Sequence, residues 1–207
     1  MPYEETKQML LNIADEETLK DNLSFTAFFI AIYENFVDQI VDRVKGFYCD
    51  GFETDDNGKV TITQSPRYKK DILDRKDDSG NKVGPLKATL LWFQENGAIT
   101  DDDIKRFYEI REQRNIYVHE LTHCLLKGFS SDEVSIFFDL QNIYKKIDKW
   151  WINEIEIPCA ADEIPQDYDP EGVQSAILAL FDIMVDVLLR GKSDEHKELI
   201  QQYFKES

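Results

Sequence analysis

Arg114, Asn115, His119, Glu120 and His123 all fall within the stretch RNIYVHELTH, and their types and spacing fit two chemistries at once. Imidazole exchanges a proton near neutrality, with a reference pKa of about 6.5. Guanidinium presents a planar fork of donors that matches two phosphate oxygens. Arg114 and His119 together therefore supply what the self-cleavage of RNA asks for: an acceptor for the proton of the attacking 2′-hydroxyl, and stabilisation of charge on the phosphoryl oxygens, with no metal required. Read instead from its right-hand end, the stretch is His-Glu-x-x-His. Histidines at i and i+4 share a helix face and bind one zinc ion, and Glu120 beside them would activate a zinc-bound water. The two readings share His119.

One helix is expected to hold both patterns. The segment TDDDIKRFYEIREQRNIYVHELTHCLLKG has Thr100 as its N-cap, acidic residues in the first turn and a stop at Lys127-Gly128. At 100° per residue, Ile104, Phe107, Val118, Leu121 and Leu125 form the expected buried stripe, and Arg111 and Arg114 fall on it. Guanidinium groups among aliphatic neighbours need a carboxylate partner, a cleft or another subunit. A quarter turn away lies a polar strip of Tyr108, Glu112, Asn115, His119 and Thr122 or His123.

The rest of the chain supplies elements against which that helix packs. Residues 18 to 48 place Phe25, Phe28, Phe29, Ile32, Phe36, Ile40 and Val44 at spacings of three and four, the stripe of a long helix. A small β-hairpin or loop insertion is expected around 52–64, where Asn57-Gly58 marks a turn and KVTIT alternates. PLKATLLWFQENG reads as a helix that opens on Pro85 and stops at Asn96-Gly97. A Ser cap opens the helix SSDEVSIFFDLQNIYKKIDKWWINEI. A loop, PCAADEIPQDYDP, leads to the apolar helix in EGVQSAILALFDIMVDVLLRGK and a short terminal helix from about Ser193. The expected architecture is all-α: an up-and-down bundle of five to six helices in a single domain, 1–207, with a small β decoration.

The segment EIREQRNIYVHEL resembles the HEPN superfamily of helical bundles, whose hallmark is an Arg followed by a polar residue and then, after four to six intervening positions, a His. Arg114, Asn115 and His119 match that pattern. The resemblance implies a metal-independent endoribonuclease, with no cofactor, of a kind that often serves as a toxin or phage-defence effector held by an antitoxin or other regulatory protein. His119 would be the general acid/base and Arg114 the phosphate stabiliser, with Asn115 supporting them and Glu112 as a partner one helical repeat before His119. On an ideal helix Arg114 and His119 point about 140° apart. The resemblance accordingly implies a homodimer, in which two copies of the helix face each other across a cleft that takes RNA.

Two alternatives stand beside it. VHELTHCLL is similar to zincin metallopeptidases, which would make His119, His123 and Glu154 the metal ligands and Glu120 the base. The metzincin extension is missing, because Leu126 stands where Gly is expected. The plainer alternative is a non-catalytic helical interaction module.

Bulk composition constrains all three readings. The formal charge of −17 repels nucleic-acid phosphates over most of the surface, so RNA would need a confined cleft. Local basic clusters occur at Arg67, Lys69 and Lys70 and at Lys145, Lys146 and Lys149, each of which also reads as a solvated helix face. Cys49, Cys124 and Cys159 form no CxxC and suit a reducing cytoplasm. The opening MPYEETKQMLLNIADEE lacks the pattern of a secretory leader, and FTAFFIAIY is too short for a membrane span, while Asp182 and Asp186 interrupt AILALFDIMVDVLL. A cytoplasmic location without membrane association is expected.

Overall fold

The computed structural model describes residues 3–160, 164 and 168–206. The chain is mostly helical with one two-stranded antiparallel sheet, and it divides into two compact units. The first comprises residues 1–33 and 106–207, and the second residues 34–105. No helix among the described residues is long and apolar enough to cross a membrane.

In the first unit, α1 (Tyr3–Ala14) and the N-terminal half of α2 (Glu16–Phe47) lead into the packing of aromatic rings. The phenylalanines expected on one stripe of α2 do meet partners there. Phe25 and Phe28 lie 5.6 and 5.8 Å, ring to ring, from Phe137, and Phe28 lies 6.1 Å from Phe181. Phe137 belongs to α7 (Ser131–Trp151) and Phe181 to α9 (Ala176–Arg190). Tilted and edge-on arrangements of this kind add to the area each ring buries. Helix α7 starts from a capping box between Ser130 and Glu133, as the Ser-cap reading expects. It continues as a π-turn, Ile152–Glu156, and a short α8 (Ile157–Ala160), so Pro158, Cys159 and Ala160 of the expected loop are helical. Residues 161–163 and 165–167 of that loop lie outside the described residues. Polar side chains fix α9 against α7: Lys145 and Gln141 both reach Asp182, each at 2.7 Å, and the buried Asp148 accepts from the backbone N–H of Ser175 at 2.7 Å. Helix α10 (Ser193–Glu206) starts where the Ser193 reading puts it.

The second unit holds the C-terminal half of α2, the hairpin and α4 (Pro85–Glu95). Strands β1 (Cys49–Thr54) and β2 (Val60–Gln64) pair Phe52 with Ile62 and Thr54 with Val60. The sheet thus begins three residues before the expected insertion. Its turn is held by Asp55, whose Oδ1 accepts from the N–H groups of Asn57 and Lys59, and Gly58 takes the left-handed conformation at φ 78° that a side chain would resist. After the short α3 (Pro66–Tyr68), residues Lys69–Leu73 wind as a π-turn, closed by a 2.7 Å bond from Asp74 N–H to the Lys69 carbonyl. Helix α4 opens on Pro85 and ends at Asn96-Gly97, both as expected.

Candidate functional site

Helix α5 (Asp101–His119) is nucleated as its sequence predicts, with Thr100 Oγ1 accepting from Asp103 N–H while the Asp103 carboxylate accepts from Thr100 N–H at 2.9 Å. Its C-terminal end departs from expectation. The helix breaks at Glu120 (φ −122°, ψ 29°), and α6 (Leu121–Lys127) starts anew. At the far end of α6, Asn12 Nδ2 donates to the carbonyl of Leu126 at 2.8 Å and Asn22 Nδ2 to that of Leu125 at 3.3 Å, so side chains of α1 and α2 cap carbonyls that the helix end leaves free.

The expected buried stripe also needs correction. Phe107, Ile110 and Tyr117 are fully buried, and Cys124 nearly so. Val118 and Leu121, expected inside, are exposed, at 42% and 39%, and so is Ile116, at 41%. Arg111 is exposed beside Tyr108 rather than buried. Of the two arginines only Arg114 is half-buried, and it is held by an aromatic ring: its guanidinium carbon lies 5.6 Å from the centroid of Tyr33, which stacks in turn on Phe107 at 5.8 Å. Arg114 Nη1 also donates to Asn115 Oδ1 at 3.2 Å. Tyr33 carries no mark in the sequence that ties it to Arg114, because only the fold brings the two together.

The polar strip is present. Glu112 and His119 are exposed and Asn115 is half-buried, with His119 the last residue of α5. Among the described residues neither Glu112 nor His119 forms a hydrogen bond or an ion pair, so the pairing expected between them is not made. His119 is open to solvent, and Ile116, Val118 and Leu121, all within three residues of it in the chain, are exposed as well.

The zinc pattern fares differently. His119 closes α5 and His123 lies in α6, on opposite sides of the break at Glu120. Glu154, on the π-turn after α7, is exposed, and among the described residues no group of three or more His, Cys, Asp or Glu is disposed to hold a metal ion. His119, His123 and Glu154 do not fit a zinc site with Glu120 as its base. His123 and Glu120 instead line a hollow of about 350 Å³ beside Cys124 and Glu133. Burial, then the carboxylates of Glu133 and Glu120, push the Cys124 thiol above its ordinary pKa, which disfavours a thiolate nucleophile there.

Of the two basic clusters, Lys145 and Lys149 are committed to Asp182 and Glu171, at 2.7 and 2.9 Å. Compared with protein families, curated proteins and solved structures, the chain matches none.

Proposed function

We propose that the chain is a metal-independent endoribonuclease of HEPN type that works as a homodimer across the α5–α6 face, a toxin or phage-defence effector of the cytoplasm with an antitoxin or similar protein as its regulator. The observation that carries this reading is the end of α5: an exposed imidazole with three exposed aliphatic residues, Ile116, Val118 and Leu121, within three positions of it in the chain, five residues beyond an arginine held on Tyr33 and Asn115. Exposed aliphatic groups around a titratable one suit a seam that a second copy covers, and a seam would collect two Arg114 and two His119 around one phosphate. His119 would take the proton of the 2′-hydroxyl, and Arg114 would stabilise charge on the phosphoryl oxygens. The pre-placed guanidinium reduces the ordering that substrate binding would otherwise require. Water is excluded only when the seam closes, which is where an antitoxin or regulatory partner would act.

The test is incubation of the purified protein with mixed RNA in EDTA, comparing wild type, His119→Ala and Val118→Glu, with sedimentation of each. The expected result is cleavage by wild type alone, with Val118→Glu monomeric and inactive. RNA loss that is equal in His119→Ala, or absent at every salt concentration tried, refutes the assignment. A non-catalytic interaction module is the second reading, favoured by the exposed strip of Leu180, Met184 and Leu188 along α9.

A further inference from the structure

The second unit contains a cleft of about 640 Å³, within the range of ~300–1,000 Å³ typical of small-molecule sites. Its walls come from the end of α2, the π-turn and the start of α4's C-terminal turn, and their chemistry runs against that of the chain as a whole. Residues 67 to 87 carry seven Lys or Arg against four Asp, in a protein of net charge −17. Single π-turns of this kind are rare and are found disproportionately at functional sites.

Inside the cleft, the acids are already committed. Asp71 accepts from Tyr48 Oη at 3.0 Å, with Arg67 Nε 3.8 Å away, and Tyr48 Oη accepts in turn from Trp92 Nε1 at 3.0 Å. Glu95 forms a two-pronged pair with Arg75, and Asp74 binds Lys82 at 3.1 Å. Lys70 and Lys76, by contrast, are exposed cleft cations that make no ion pair among the described residues. The free charge of the cleft is therefore positive, which points to an anion and away from a metal ion. The remaining wall is aromatic. Phe47 is 47% exposed and lies against Trp92 and Tyr48, with ring centroids at 5.4 and 5.3 Å, and all three line the cleft. A half-exposed ring held by two neighbours offers a stacking platform for a flat apolar or heteroaromatic group.

We propose that this cleft binds a nucleoside phosphate, either free or at the end of a single strand, with the base on Phe47 and the phosphate on Lys70 and Lys76. Guanidinium Arg67, whose carbon lies 5.9 Å from the Tyr48 centroid, stands at the rim where a second phosphate would reach. The proposal is independent of nuclease activity at α5, since none of its residues belongs to that helix.

The test is titration calorimetry on the full chain with AMP, adenosine, inorganic phosphate, oligoadenylate with and without a 5′-phosphate, and a Glu-rich peptide. AMP is expected to bind at least about tenfold tighter than either phosphate or adenosine. A Lys70→Ala, Lys76→Ala double variant should weaken AMP about tenfold, and Phe47→Leu several-fold, with circular dichroism unchanged. His119→Ala should bind AMP as wild type does, which separates failure of this proposal from failure of the nuclease reading. Tighter binding of the 5′-phosphorylated strand than of AMP identifies a strand end as the ligand, and the reverse order identifies the free nucleotide. Phosphate binding as well as AMP, the peptide binding better, AMP binding unaffected by the double lysine variant or lost in His119→Ala, or no AMP binding at all, overturns it.

Discussion

Tyr117 makes a stringent test of how the fold holds the candidate helix, because its ring and its hydroxyl act in opposite directions. The ring is fully buried and meets Phe29 at 5.0 Å, Phe129 at 5.6 Å and Phe25 at 6.4 Å, each close to edge-on. The hydroxyl in the same place has no partner at hydrogen-bond geometry among the described residues, although the Gln113 side chain lies near enough to lower its pKa. An orphaned buried hydroxyl costs about 1–3 kcal/mol, whereas truncating the whole ring would cost about 3–5 kcal/mol. Tyr117→Phe removes the first cost and leaves every ring contact in place, so it should stabilise the protein by about 1 kcal/mol. For a chain of this size that raises the thermal midpoint by roughly 2–4 °C. A pH arm checks the same hydroxyl by an independent route. Burial, reinforced by Glu133 and opposed by the Gln113 side chain, raises the Tyr117 pKa well above the ordinary tyrosine value. A raised folded pKa means the contribution is complete below about pH 10, the unfolded value, and is lost as pH rises toward the folded one. Wild type should therefore lose stability above pH 10 more steeply than Tyr117→Phe. Urea unfolding at pH 7 and pH 10.5 measures both effects. A Tyr117→Phe variant that is less stable than wild type at pH 7 would show that the hydroxyl has a partner, and the reasoning would fail.

The remaining expectations follow from single contacts. Asp148→Ala should cost about 1–3 kcal/mol, because it strands the Ser175 N–H at the start of α9, while Asp148→Asn, which keeps an acceptor, should cost less; urea midpoints compare the two. Asp186 is held below the ordinary carboxylate pKa by His196, then Arg190, with Lys192 adding to both, so its contribution is present above about pH 4 and disappears as pH falls through the lower folded value. Amide exchange in α10 should accelerate below pH 4 in wild type and be fast at all pH values in Asp186→Asn; an unchanged α10 in that variant refutes the contact's role. Arg114→Lys keeps the charge on Tyr33 but loses the fork, and should lower RNA cleavage in EDTA with a melting temperature within about 2 °C of wild type.

What the sequence made legible was whatever depends on near neighbours. The Thr100 and Ser130 caps, the Gly97 and Gly128 stops and the Asn57-Gly58 turn are all set within four residues, and each occurs where the pattern places it. The stripe of α2 was equally visible, because seven apolar residues at helical spacing allow one buried face. What was not visible depends on partners far along the chain. The carbonyls of Leu125 and Leu126 at the end of α6 are capped by Asn22 and Asn12, more than a hundred residues away. Arg114 finds Tyr33 across some eighty residues, and the Tyr48–Asp71–Trp92 relay joins three separate elements.

The same break weighs the two patterns in RNIYVHELTH against each other. A zinc site needs three ligands that converge, and among the described residues no group of three or more His, Cys, Asp or Glu is disposed to hold a metal ion, with His119 and His123 on opposite sides of the bend. The arginine pattern makes no such demand, since its two residues already point apart on an ideal helix and the proposed seam draws them from two copies. Bending after His119 costs that pattern nothing, and Val118 and Leu121 on either side of it are both exposed. If the bend were instead an incidental feature of α6, straightening it should leave RNA cleavage intact. Asn12→Ala with Asn22→Ala removes the side chains that cap the end of α6, and the expected outcome is a longer α5, weaker dimerisation in sedimentation and reduced cleavage together. Dimerisation and cleavage that both survive in a variant whose α5 has demonstrably lengthened would separate the bend from the seam, and the exposed aliphatic group around His119 would need another explanation.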